Sequence, residues 1–467
     1  MRKIYTTALF LVMGVAINSQ SLGYQDLSQL FSQDNCSGTA RFTGMSGAFG
    51  AVGGDVATIH INPAGIAIFN YSAFSGTFNV RNTSVNTLYK ENYKLSENQF
   101  MNLPQAGAVL VFKTGQDDWS KIAIGANFRT YKDFSDAFFA SGNSGIATFR
   151  DYPEDTNNTA IDFNNTSGQR FDNNYSGETT EMSFAISGVY QKNLYVGASL
   201  NFYELNFLQE ALLSEFNHDG NGNTLDVALF QSNTTAGTGF SANLGFIYKV
   251  TNDFRFGLSY QTPTWYTNII QDTNFDTRSL MDTSFPDIGE TTYFFNEEPE
   301  YIEINDSYFT DYALQTPSKF TVSAAYVFGK SGLLSVDYAR RYFSRIRLRS
   351  NNGFGDYFNP ENQFFQNELR NTNNLNIGTE WRFGRVSVRG GYFYEQAADT
   401  LALSSDDLQG YSFGAGYDFG GFRIDVAYTN NNRTAAYNFY AQPELEVPSA
   451  ALTLTNSIIT SSISFYL

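Results

Sequence analysis

The sequence predicts an all-β fold: a membrane-spanning antiparallel β-barrel of about 14 strands, its lumen plugged by an N-terminal hatch. Three observations predict it. Apolar and polar residues alternate with period two from residue 71 to the last residue. Short and long connections alternate strictly. The N-terminus carries an export signal, and no stretch of the chain is long and apolar enough to cross a membrane as a helix.

The start, MRKIYTTALFLVMGVAINSQ, has a basic tip (Arg2, Lys3), an apolar core (Ala8 to Ile17) and a small residue, Ser19, where a cut would fall. Residues 1–19 therefore read as a secretory signal peptide, whose apolar run is too short to span. An exported chain with no other apolar run enters a membrane only as strands. The net charge is −17, and removing Arg2 and Lys3 makes the chain more acidic still. Phosphate binding needs a basic face, so nucleic acid is excluded as a partner. Abundant Tyr and Phe, scarce Pro and much Gly, Asn, Ser and Thr favour strands and polar loops over helices. The single cysteine, Cys36, cannot form an internal disulfide and reads as an ordinary thiol.

Residues 20–70 show no strand pattern. GMSGAFGAVGGDVA (44–57) is too rich in Gly to make a stable isolated helix. INPAG (61–65) follows, in which Asn62 caps, Pro63 pre-sets φ and Gly65 closes a type I turn. Small residues suit a segment that must fit inside something crowded.

From residue 71 the strands begin. In YSFGAGYDF, Tyr411, Phe413, Ala415, Tyr417 and Phe419 share one face, with Ser412, Gly414, Gly416 and Asp418 on the other. FRIDVAY (422–428), RVSVRGGYFY (385–394) and DFRFGLSYQ (253–261) repeat the pattern. Such segments fall near 71–80, 105–113, 120–131, 180–191, 194–207, 236–250, 253–266, 316–329, 331–349, 372–384, 385–396, 408–420, 421–431 and 455–467. A soluble β-sandwich also alternates, so the connections decide. QKN (191–193), TND (251–253), GKSG (329–332) and GG (420–421) are tight turns, and between them lie long polar stretches such as 132–179, 267–315 and 432–454. Short turns at one rim and long loops at the other mark a barrel of the outer membrane. In the final SSISFYL, Ile463, Phe465 and Leu467 share a face, as the terminal strand read by the barrel-assembly machinery requires, although that signal usually ends in Phe.

GTARFTGMSGAFGAVGGDVATIHINPAGIAIF (38–69), with its Asn62-Pro63-Ala64-Gly65 motif, closely resembles the N-terminal hatch of the FadL/TodX family of outer-membrane hydrophobe transporters. GFSANLGFIYKVTNDFRFGLSYQTP (239–263), TPSKFTVSAAYVF (316–328) and GYSFGAGYDFGGFRIDVAYT (410–429) resemble its strands. The resemblance implies residues 20–70 as hatch, residues 71–467 as barrel, and passive admission of small hydrophobic molecules such as long-chain fatty acids. It also implies sideways exit at a kink in the third strand, KIAIGANFRTY (121–131), where Gly125 is the candidate because Gly weakens a strand.

DYARRYFSRIRLR (337–349) carries the densest charge. Continuous alternation puts Arg341, Arg345, Arg347 and Arg349 on the inner face, where a row of guanidiniums can hold a carboxylate. Arg389 is a further inward candidate. The dull alternative is that these arginines pair with acidic loop residues or surface lipid anions. HDGNGNTLD (218–226) has Asp219, Asn221 and Asn223 at calcium-loop spacing but lacks the glycine and the acidic residue that such a loop needs, so a polar surface turn is expected.

Only His60 and His218 are present, which removes a His-rich metal site and leaves little for a Ser-His-acid centre. No catalytic residue, metal or cofactor is expected. The expected partners are a hydrophobic small molecule, outer-membrane lipid and lipopolysaccharide, and the assembly machinery during insertion; the chain is expected to be a monomer in the Gram-negative outer membrane. The competing reading is a surface adhesin or receptor with a closed lumen.

Overall fold

A computed structural model describes residues 22–115, 118–152, 161–276, 291–296, 298–302, 307–351, 353, 355–439 and 447–467. The expected signal peptide, 1–19, lies outside the described residues. In chain order the strands are β1 (Ala73–Tyr89), β2 (Asn92–Lys113), β3 (Trp119–Asp133), β4 (Asp136–Gly142), β5 (Asn165–Tyr190), β6 (Leu194–His218) and β7 (Thr224–Lys249). They continue with β8 (Phe254–Gln261), β9 (Trp265–Asp276), β10 (Thr291–Phe295), β11 (Glu298–Ile302), β12 (Ser307–Gln315), β13 (Lys319–Phe328) and β14 (Gly332–Arg341). The last are β15 (Arg347–Ser350), β16 (Thr372–Phe383), β17 (Val386–Glu395), β18 (Leu408–Asp418), β19 (Phe422–Tyr437) and β20 (Ala450–Tyr466).

The wall is a closed antiparallel ring of fourteen staves. Its order is β1, β2, β3, β5, β6, β7, β8, β13, β14, β16, β17, β18, β19, β20 and back to β1. The expected strand number is correct. The closing pair runs from Ala73↔Tyr466 to Leu88↔Ala451, so no open edge remains at the seam of the chain.

Outward side chains at membrane level are apolar and exposed: Phe184 and Ile186 on β5, Leu200 and Phe202 on β6, Leu244 on β7, Phe413 on β18. Trp119, Tyr248, Trp381, Tyr417 and Phe419 gather beside the short turns, as an interfacial girdle does. Inward positions in the same strands are small or polar and buried: Ser187, Ser199, Asn201, Ser241, Ser323 and Ser412.

One expectation about the connections is overturned. The stretches 132–179 and 267–315, read from sequence as polar loops, contain strand over most of their described length. β5, β6 and β7 run for 26, 25 and 26 residues, far beyond the roughly 9–11 needed to cross a bilayer. β9, β10, β11, β12 and β15 extend the same sheet above the membrane. The outer side of these upper halves is polar because it faces water. That composition imitates a loop, although the backbone pairing continues unbroken in β6–β7 from Leu194↔Tyr248 to His218↔Thr224.

Candidate functional site

Before β1 the chain forms α1 (Tyr24–Phe31), α2 (Ala40–Thr43) and two 3-10 turns, Val56–His60 and Pro63–Ile68. The turn expected at Asn62–Gly65 is present as the start of the second 3-10 turn: Ala64 N donates to Asn62 Oδ1 at 3.2 Å, and Gly65 N donates to Asn62 O at 2.9 Å. Successive type I turns make a 3-10 helix, so the local chemistry is as read. The motif's further partners lie in the same segment and on the wall strands β5 and β7. Asn62 Nδ2 donates to Gly50 O (2.7 Å) and Phe246 O (3.0 Å), and Ser187 Oγ donates to Ala64 O (3.2 Å).

The partners of this segment encircle it. Ala40 N donates to Ser462 Oγ on β20, Arg41 pairs with Glu380 on β16 at 2.8 Å, and Gly50 N donates to Asp337 Oδ2 on β14 at 2.8 Å. Asp34 pairs with Arg129 on β3 at 2.8 Å. With Phe42, Met45, Phe49, Ile59 and Ile66 fully buried, residues 38–68 lie inside the ring. Backbone approaches backbone there. A Cβ on Gly257 would sit 2.6 Å from Gly50 O, and one on Gly378 would sit 2.5 Å from Met45 O. Any larger residue at either wall position pushes the segment off the strand.

Two buried ion clusters hold the segment. Near the short-turn rim, Glu380 accepts from Arg41, Arg382 (2.7 Å) and Arg389 (2.8 Å), and Asp425 accepts from Arg423 (3.0 Å) and forms an ion pair with Arg389 (2.9 Å). Higher up, Arg129 joins Asp34 to Glu181 (2.6 Å). Burial alone would raise the Asp34 carboxyl, but the charge and hydrogen bonds of Arg129 win and hold it below the ordinary range. Burial pushes the Cys36 thiol up to about 12, so it stays protonated. His60 is buried against Phe42, its ring nitrogens without partners among the described residues, and burial keeps it neutral.

Above the segment lies a cavity of about 750 Å³, within the range that accommodates one small ligand. Leu30, Phe134, Phe343, Phe393, Leu454 and Ile458 supply apolar wall; Gln33 to Ser37 supply part of the floor. At one side Lys132 Nζ (3.1 Å) and Arg433 Nη1 (3.3 Å) both donate to Gln33 Oε1. Neither cation has a carboxylate partner among the described residues.

The same side of the wall is incompletely bonded. β2 and β3 pair only from Lys113↔Lys121 up to Gln105↔Arg129. Above that level β2 pairs only with β1, up to Tyr89↔Asn92, while β3 and β4 pair only with β5. Pro104 sits where the β2–β3 ladder stops. It offers no N–H, and the β1–β2 register shifts beside it. β3 is irregular between Thr130 and Lys132, and there the N-terminal segment takes up its free groups: Asn35 N donates to Tyr131 O at 2.9 Å, and Ser37 Oγ donates to Thr130 O. Side chains bridge the gap. Asn98 Nδ2 donates to Ala137 O (2.8 Å), and Arg81 reaches Asp133 (2.9 Å) and Ser135 O (2.8 Å). Asn102, Pro104, Lys132 and Asp133 line both gap and cavity.

The residues picked out from sequence divide sharply. Arg341 is buried, lines the cavity and pairs with Glu395 at 3.1 Å. Arg389 is buried in the Glu380 cluster, away from the cavity lining. The expected inner row of Arg341, Arg345, Arg347 and Arg349 does not form. A 3-10 turn, Phe343–Arg345, interrupts the strand after Arg341 and reverses the alternation, so Ile346 and Leu348 turn inward (2% exposed each) while Arg345, Arg347 and Arg349 are exposed. Gly125 is not a kink: it pairs with Val109 and Ala185 in unbroken ladders, and it faces Ile59 and Ile66 of the N-terminal segment. The register shifts of that strand lie on either side of it, between Trp119 and Lys121 and between Thr130 and Lys132. Asp219 accepts from Asn221 N (2.7 Å) and from Asn223 N and Nδ2, which makes a self-contained polar turn. The Glu380 cluster and the gap beside Pro104 were not found from sequence. A proline inside an alternating segment was the available signal for the second.

No family model matches the chain, and no curated protein matches it. Solved structures do. The CymD monoaromatic hydrocarbon channel aligns over 93% of this chain and 99% of its own, at 13% identity and a TM-score of 0.51. The toluene transporter TodX of P. putida aligns over 92% and 98%, at 14% identity and 0.54. A FadL homologue of Pseudomonas aeruginosa aligns over 92% and 98%, at 13% identity and 0.53. Fourteen staves, an N-terminal segment within the ring and these near-complete alignments show one thing together: the chain has the fold of the FadL- and TodX-type outer-membrane channels.

Proposed function

We propose that the protein is an outer-membrane channel that admits small hydrophobic molecules passively and releases them sideways between β2 and β3. The observation that carries this reading is the cavity's position. Its floor is filled by the hatch, residues 38–68, whereas one wall lacks backbone bonding and is closed by side chains alone. A hydrophobic molecule leaving through that gap has only side chains to move aside before it meets lipid, while the route through the floor demands that two buried ion clusters break. Exposed Leu103 (71%) and Met101 (64%) flank the gap on the outside, offering the departing molecule a lipid-facing surface.

The cavity mixes apolar wall with acids such as Asp136 and Glu395, and has a cationic corner at Lys132 and Arg433. This suits a hydrophobic tail bearing a carboxylate or comparable polar end, a long-chain fatty acid being the simplest. Toluene transport by the TodX structure's protein supports hydrophobic cargo in general. The stretch Gln33–Ser37 that leads into the hatch touches both the cation pair and the irregular stretch of β3, so cargo that displaces Gln33 also loosens the gap. No step of this reading involves catalysis or a cofactor, and a monomer inserted through its terminal strand suffices.

The test is a reversible lock. Asn98→Cys with Asp136→Cys, positions whose native side chains meet at 3.3 Å, aims a disulfide across the gap. Uptake of labelled oleate into whole cells is expected to fall to the level of a deletion strain when the pair is oxidised, and to recover on reduction. Equal uptake in both states would place the exit elsewhere.

A further inference from the structure

The arginines turned away from the lumen form a site of their own. On β14 the outward face carries Leu334 and Tyr338 and ends in exposed Arg340; the 3-10 turn ends in exposed Arg345, and beyond it the face resumes with exposed Arg347 and Arg349. Four guanidiniums within ten residues stand on one outer surface of a chain whose net charge is −17. None of the four has an ion pair or side-chain hydrogen bond among the described residues, and the one contact they show is Arg345 over the Tyr342 ring at 4.8 Å. The contrast with other exposed arginines is direct. Arg150 pairs with Asp162 at 2.6 Å, and Arg170 pairs with Asp172 at 2.7 Å.

The fold keeps this face open. α3 (Asn359–Glu368) covers the opposite side of β15, where Phe365 packs with Ile346 and Leu348. Its Asn362 satisfies both backbone groups of Leu348, at 2.9 and 3.0 Å. Across the ladder Arg347 and Arg349 face Gln315 and Ala313, so no acid stands directly opposite either. The nearest carboxylate on that strand, Asp311, is taken by Asn351 at 2.7 Å.

Height identifies the occupant. Arg340 pairs with Phe320, which pairs with Tyr260, and both aromatics are exposed on the outer surface. The arginines therefore begin level with this outward aromatic pair, at the long-loop ends of β8 and β13, and rise from there toward the headgroup layer. Guanidinium binds phosphate in a planar, two-point fashion, and basic clusters beside a membrane collect anionic headgroups. The geometry points to a binding site for a phosphorylated glycolipid of the outer leaflet, with Arg345, Arg347 and Arg349 gripping its phosphates and Tyr338 and Phe320 against its acyl chains. This site rests on the outer-membrane placement proposed above and is independent of what the lumen carries.

Native mass spectrometry of the detergent-purified barrel, titrated with diphosphoryl lipid A and separately with its fully dephosphorylated form, tests it. Wild type is expected to retain the diphosphoryl lipid and not the dephosphorylated one. The triple variant Arg345→Gln/Arg347→Gln/Arg349→Gln is expected to bind roughly a hundredfold more weakly, about fivefold for each arginine. The corresponding triple Lys variant keeps the charge and is expected to fall between the two. Heat-modifiable gel migration establishes that each variant is folded, and oleate uptake is expected to be unchanged in all of them. Equal binding by wild type and the Gln variant overturns the site, as does equal retention of the two lipids. Displacement of lipid A by millimolar inorganic phosphate would show a free-anion site instead and also overturns it. If no strain takes up oleate while lipid binding follows the expected order, the transport reading fails and this one stands.

Discussion

The two halves of β6 obey one geometry and opposite chemistry. In the lower half Leu200 and Phe202 point outward and are 57% and 51% exposed, while Ser199 and Asn201 are buried inside. A few residues later Leu205 and Phe207 point inward and are 0% and 2% exposed, while Glu204 and Asn206 face out. The side-chain period never slips; what changes is the solvent on each side. At membrane level lipid lies outside and the polar hatch contacts lie within. Higher up, water lies outside and an apolar cluster of Leu205, Phe207, Phe31, Phe134 and Tyr266 fills the interior. A strand's apolar face therefore reports where oil is, and a barrel taller than its membrane has oil on different sides at different heights.

Substitutions along this contrast should separate the halves. The largest effect is expected from Glu380→Ala, which leaves Arg41 buried without its carboxylate and Arg389 with Asp425 alone. A loss of about 3–5 kcal/mol follows, read as a lower unfolding midpoint in detergent and as a hatch released to proteolysis. If the midpoint is unmoved, the lower lumen does not depend on its ion cluster. Leu205→Ala opens a cavity in the upper core and is expected to cost about 2–5 kcal/mol, with the same loss in detergent and in lipid. Leu200→Lys should behave differently. Its cost of about 2–4 kcal/mol appears when the barrel is folded into bilayers and depends on depth, and it should largely vanish in detergent, where the ammonium reaches water. Equal costs in both media would place Leu200 outside the lipid belt. Glu204→Gln, on the watered side of the boundary, is expected within about 0.5 kcal/mol of wild type in either medium.

The same inversion explains what could be read from the chain. The lower staves were legible because apolar-out alternation beside tight turns has few other meanings; YSFGAGYDF and FRIDVAY pair as β18 and β19 from Gln409↔Asn432 to Asp418↔Arg423. The upper staves were hidden, since strands with polar outer faces share the composition of loops. The arginine row was misplaced for a related reason. Parity was carried through Tyr342–Arg345, but a three-residue turn there resets it, and nothing in YFSR marks a 3-10 turn over a continuing strand. Gly125 was a fair reading of one strand by itself, yet its small size serves Ile59 and Ile66 of the segment packed against it.

By itself the sequence determined the period, the number of staves, the small residues of the N-terminal segment and the Asn62–Gly65 turn, because each depends on neighbours in the chain. Which groups meet was decided only in the tertiary structure. Arg41 and Glu380 are separated by 339 residues, and the missing ladder between β2 and β3 exists because each strand pairs with a different neighbour above Gln105. Such features belong to the closed ring: a pattern read along one strand fixes the side a residue faces, and only closure brings its counterpart from the rest of the chain to that side.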